Sequence, residues 1–182
     1  MRFSQKTWII LSAFALAFMF VPASQAQVNS NVANVLLNAP LAESVTIAAG
    51  PGTVNFTLVP NGPAAGSAPV TVTTSWALVK TRTSVKLYAY FASANALNDG
   101  AGDNIPNTSV KGSINGGALT PFNTGTPYGG LFGVTVFNQA IAAANANSSH
   151  GPDTIALTID TTGLGLPAGT YTGTLILEAQ AL

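Results

Sequence analysis

The sequence predicts an all-β chain folded as an antiparallel sandwich, and three observations carry that prediction. Apolar residues alternate with Thr, Asn and Ser in one run after another, the period-2 pattern of strands that bury one face. Turn signals of Gly, Pro and Asn recur every dozen residues or so, which is the spacing of short strands in a sandwich or barrel. Helical periodicity is almost absent.

The first 26 residues read as a signal peptide, not as part of the fold. Arg2 and Lys6 give a basic start, residues 9–21 form an apolar run of 13, and Ser24 and Ala26 supply the small residues of a cleavage site. That run falls short of the ~20 residues that cross a bilayer, and no second one follows it. The expectation is a secreted chain, periplasmic, cell-surface or extracellular, with no membrane span after signal removal. The remaining 156 residues, 27–182, are enough for a single β-sandwich domain. They carry four bases (Lys80, Arg82, Lys86, Lys111) against six acids (Glu43, Asp99, Asp103, Asp153, Asp160, Glu178), a net charge of about −2. This excludes the basic face that nucleic acid requires. With no cysteine anywhere, stability must come from the apolar core, from pairing with another subunit, or from both.

In chain order, residues 27–39 are polar-spotted and loosely periodic, a first strand or an N-terminal arm that orders against a partner. Residues 41–48 predict a strand with Val45 and Ile47 on one face, ended by Gly50, Pro51 and Gly52. Residues 53–59 give the clearest strand of this half, with Val54, Phe56 and Leu58 alternating against Thr53, Asn55 and Thr57. Residues 60–69, rich in Pro and Gly, predict a loop. Two runs follow, 70–78 with Trp76 on the inward face and 85–91, and the short basic link between them predicts a hairpin. Residues 93–107 read as a long polar excursion. Asn115, Gly116 and Gly117 predict a tight turn between strands near 109–114 and 118–122, and residues 123–130 a loop. A buried strand is expected at 131–137, at most one short helix near 138–147 in an Ala-rich run, a strand at 153–160, and a closing strand within 166–182. The total is about nine or ten strands. An immunoglobulin-like sandwich fits best, with a jelly roll second.

The two C-terminal runs, 153–160 and Pro167-Ala168-Gly169-Thr170-Tyr171-Thr172-Gly173-Thr174-Leu175, carry a family resemblance. They resemble the end of bacterial secreted Ig-like domains of the spore-coat-U and archaic chaperone–usher pilin kind, in which an Ala-Gly-Thr-Tyr turn precedes a Thr/Val-rich final strand. The resemblance covers about 30 residues of the 182, and the chain departs from those subunits in lacking cysteines near the start of the mature part. It implies a sandwich short of one strand, completed by the N-terminal arm of the next subunit through strand addition at an open edge. Residues 27–39 would be the donor.

Few residues offer chemistry. Asp99, Asp103 and Asn104, with Asn98 and intervening glycines, form the one cluster with calcium-ligand character, although the spacing fits no twelve-residue calcium loop and a polar turn is the plainer reading. His150 is the sole histidine. Asp153 lies close by, but no Gly-x-Ser-x-Gly elbow presents a nucleophile, and the scattered acids suggest no paired carboxylates beyond Asp99 with Asp103 or Asp153 with Asp160. Lys86, Tyr88 and Tyr90 share one face of their strand, where they either meet a ligand or partner or are covered by the sandwich. The functional expectation is a secreted, structural, non-enzymatic protein without cofactor, a fibre or coat subunit that associates with itself or with other envelope subunits. The alternative is an extracellular carbohydrate- or ligand-binding module.

Overall fold

A computed structural model describes residues 31–124 and 132–182; the proposed signal peptide and residues 27–30 lie outside these. The chain divides into two units, Met1–Ala39 and Pro40–Leu182. In the first, residues 31–39 have no regular secondary structure, and Val32, Val35, Leu36 and Leu37 are 80–93% exposed. The second unit holds eleven strands among the described residues: β1 (Ser44–Gly50), β2 (Pro63–Ala65), β3 (Val70–Ala77), β4 (Ser84–Tyr90), β5 (Asn95–Asn98), β6 (Asn104–Pro106), β7 (Val110–Ile114), β8 (Leu119–Pro121), β9 (Gly133–Ala140), β10 (Asn147–Asp160) and β11 (Ile176–Ala181). All pairings are antiparallel.

One sheet runs β1-β3-β10-β7-β8, with β2 paired to the far end of β10; the other runs β11-β4-β9, and β5 and β6 form a separate ribbon. The inward phase follows from sequence parity. Val70, Val72, Thr74 and Trp76 of β3 are buried, as are Asp153, Ile155, Leu157 and Ile159 of β10. Val85, Leu87 and Ala89 of β4 and Val134 and Val136 of β9 meet them from the other sheet. Phe122, fully buried, packs edge-on against Phe91 with centroids 5.2 Å apart. Each such large side chain contributes about 1.5–3 kcal/mol by leaving water, which is how a chain without disulfides supports a sandwich.

Several expectations need correction. The runs now seen as β3 and β4 do not form a hairpin: residues 78–83 carry the chain from one sheet to the other, so each strand finds non-local partners. A short polar link fits an arch between sheets as well as a hairpin, and parity is the same in both cases. No helix forms near 138–147. Val136 and Phe137 bury themselves as β9, which extends to Ala140. Asn145 then closes a turn, its Oδ1 accepting the Ala142 N–H at 2.6 Å and its Nδ2 donating to the Ala140 carbonyl at 2.9 Å. Such side-chain competition for backbone partners is why Asn disfavours a helix here. The polar excursion 93–107 contains β5 and β6, and the 60–69 loop contributes β2.

At the root of the second unit, Glu43 is held by a bidentate pair. Arg82 Nε and Nη2 donate to its two carboxylate oxygens at 3.1 and 2.8 Å, and the Val79 N–H donates to Oε1 at 2.9 Å. The Arg82 hydrogen bond, helped by Val79, pulls the Glu43 carboxyl down to about 2. This clamp fixes the start of β1 to the arch between β3 and β4.

Candidate functional site: a cleft between unpaired strand segments

β1 pairs only with β3 and β11 only with β4, so both are edge strands among the described residues, and they lie close to one another on the same side of the sandwich. A cleft of about 810 Å³ opens beside them. One wall is the chain following β1, from Ala49 to Leu58; the other is residues 169–175 with Leu177. Its floor is the core itself, formed by Val70, Phe91, Leu97, Val110, Leu157 and Ile159.

Both walls are strands by sequence but not by pairing. Residues 53–59 show the expected alternation, with Val54, Phe56 and Leu58 half-buried and the residues between them exposed. Yet the segment forms a single bridge, Phe56 to Gly66, and no ladder. On the facing wall, β11 begins only at Ile176. Tyr171 and Leu175 keep the inward phase, and Thr172 makes one isolated bridge to Asn98. Here the local fit is tight: a Cβ on Gly173 would fall on the Ala96 carbonyl oxygen, so only glycine lets this wall lie against β5. All six residues of β11 are half-buried, as expected of a strand with neither a partner on its outer edge nor a full cover on its face. The arrangement is a slot with an apolar floor and mixed polar and apolar walls, whose extended backbone makes only isolated bridges on either side, and such a slot can receive an extended peptide.

The other sequence-derived candidates lie elsewhere. Tyr88 is buried, 8% exposed. Tyr90 is half-buried, and its hydroxyl donates to Glu178 Oε2 at 2.6 Å, tying β4 to β11; Lys86 is also half-buried. The three therefore do not present an open aromatic platform. In the loop between β5 and β6, Asp99 Oδ1 accepts the N–H groups of Ala101, Gly102 and Asp103 at 2.8, 3.1 and 3.0 Å. These bonds, Ala101's foremost, hold the Asp99 carboxyl below its ordinary range. Asn104 Nδ2 donates to the Gly102 carbonyl at 2.9 Å. Asp99 thus spends one oxygen organising a turn, and no group of three or more His, Asp or Glu side chains gathers among the described residues. Tyr171 packs near this loop; loss of solvation, then the charges of Asp103 and Asp99, push its hydroxyl up, and it donates to the Pro167 carbonyl at 3.0 Å.

His150 and Asp153 do come together, with Nε2 and Oδ1 3.5 Å apart. The imidazole stacks on Phe137 of the opposite sheet at 4.2 Å, and Asn115 Nδ2 donates to the same Asp153 oxygen at 2.8 Å. No serine hydroxyl is hydrogen-bonded to His150 among the described residues, so nucleophile, base and orienter are not assembled. Asp160 occupies the opposite face of β10 from Asp153 and pairs with Lys111 at 3.1 Å, so these two acids do not flank a shared site.

No protein-family profile matches the chain, and no curated protein matches it. The sequence signals only the alternation of the two cleft walls at 53–59 and 171–175; their lack of ladders is visible in the pairing alone.

Proposed function

We infer that this protein is a secreted, non-enzymatic structural subunit that assembles by accepting an extended segment of a neighbouring copy into the cleft beside β1 and β11. The observation that carries this reading is that both cleft walls have strand alternation without strand partners. Support comes from the arm. From Ala33 on, its odd-numbered residues Ala33, Val35, Leu37 and Ala39 are apolar, so this part of an extended arm presents one apolar face, while Val32, Asn34, Leu36 and Asn38 fall on the other and the polar Gln27, Asn29 and Asn31 precede it. Val35, Leu37 and Leu41 are 80–86% exposed, apolar surface in need of cover.

An arm received from a second molecule makes a head-to-tail contact, which propagates as a fibre unless it closes into a ring. This agrees with the resemblance of the C-terminal runs to spore-coat-U and archaic pilin domains.

Deleting residues 27–39 tests the reading. Size-exclusion chromatography with negative-stain microscopy should show concentration-dependent oligomers for the mature chain and none for the truncated one. A stable monomer with the arm intact would overturn the assignment.

A further inference from the structure

The chain contains two Asn-Gly pairs, Asn61-Gly62 and Asn115-Gly116. Both asparagines sit at turns with φ of +51°, but their side chains do opposite work. Asn61 Oδ1 accepts the Gly163 N–H at 3.2 Å. Asn115 Oδ1 accepts the Thr154 N–H at 2.8 Å, while its Nδ2 donates at 2.8 Å to Oδ1 of Asp153. Asp153 is 3% exposed, and its second oxygen is buried without a hydrogen-bond partner. The Asn115 amide is therefore a principal donor to a buried carboxylate, shared only with the more distant His150. The β7–β8 turn that carries it is exposed, and Gly116 has nothing within 4 Å of where a Cβ would stand.

We propose that Asn115-Gly116 is a deamidation site whose conversion unlatches the β7–β8 hairpin from β10. The Gly116 backbone nitrogen, unhindered by a side chain, attacks Cγ of Asn115. The C–Nδ2 bond breaks, ammonia leaves, and water opens the succinimide to aspartate or isoaspartate, with no oxidant or reductant required. The product replaces an N–H donor by an oxygen anion facing a buried carboxylate, which has too few donors already. The same conversion at Asn61 retains the acceptor that Gly163 uses. The two sites thus differ in consequence, not in chemistry: one is a latch that ages and the other is neutral.

The test combines incubation and substitution of the intact protein. At mildly alkaline pH, peptide mapping by mass spectrometry should find aspartate and isoaspartate at position 115. The converted fraction, separated by its extra negative charge, should lose amide-exchange protection in β7 and β8. Asn115→Asp should lower the melting midpoint by roughly 5 °C or more, and Asn61→Asp should leave it near the parent. Should Asn115→Asp fail to fold, the exchange Asn115→Asp with Asp153→Asn restores a donor facing an acceptor and should recover folding. Three results would each overturn the proposal: an Asn115→Asp melt equal to the parent's, a double variant no better than the single, or an amide at 115 that persists while the urea-unfolded chain converts.

Discussion

Leu36 and Leu37 are adjacent, apolar and 93% and 86% exposed, so they distinguish strand insertion from indiscriminate hydrophobic association. In an extended arm their side chains point to opposite sides. If the face of Ala33, Val35, Leu37, Ala39 and Leu41 enters the cleft, Leu37 becomes buried against the floor of Val70, Leu157 and Ile159, whereas Leu36 stays at the surface. Burying a leucine contributes about 1.5–3 kcal/mol, and truncation to alanine forfeits roughly 2 kcal/mol of it. Leu37→Ala should therefore raise the dissociation constant between subunits by about 30-fold, and Leu36→Ala by less than about threefold. Sedimentation velocity over a concentration series reads both. Equal losses, or a larger loss at Leu36, would refute the phase and with it the argument from the arm.

Other consequences follow from the same geometry. Gly173→Ala forces a methyl group onto the Ala96 carbonyl; it should cost about 3 kcal/mol, lowering the melting midpoint by about 6–12 °C and weakening assembly as the cleft wall shifts. Phe122→Ala, at a fully buried ring packed edge-on against Phe91, should cost about 3–5 kcal/mol in urea denaturation without altering subunit affinity per folded molecule. The Glu43 carboxyl is depressed to about 2 in the folded protein against about 4.3 unfolded. Its contribution is therefore complete above the unfolded value and is lost as pH falls through the folded one. Glu43→Gln should flatten the acid limb of the melting profile between about pH 4 and 2 and leave neutral-pH assembly intact. Calcium titration by calorimetry should show no heat, because Asp99 already accepts three backbone N–H groups; a saturable heat abolished by Asp103→Asn would contradict this.

Much of the fold was legible because parity is a local property. Trp76 could be placed inward from alternation, and the Asn115-Gly116 turn announced its hairpin, whereas alternation left open which face of the Leu87 strand is the core. Pairing was not legible in the same way. The link 78–83 reads alike whether the chain turns back in one sheet or arches to the other, and only the buried faces of β9 and β10, far along the chain, decide it. The Ala-rich stretch before Asn147 has helical propensity, but Phe137 gains more by burial in β9. At the candidate site the sequence offered strands at 53–59 and 171–175; that they lack ladders is a fact of the whole topology. Asp153 likewise looked like a partner for His150, whereas its nearest donor is an asparagine at a turn 38 positions away.

Cysteine pairing measures the central claim most directly, because the chain contains no native cysteine. Leu37→Cys on the arm and Leu175→Cys on the cleft wall should form disulfides between molecules under mild oxidation, giving a ladder of multimers on a non-reducing gel that collapses on reduction. Leu36→Cys with Leu175→Cys should give little. A Leu37–Leu175 pair that links only within one chain, or links no more than the Leu36 control, would contradict assembly by exchange of this arm.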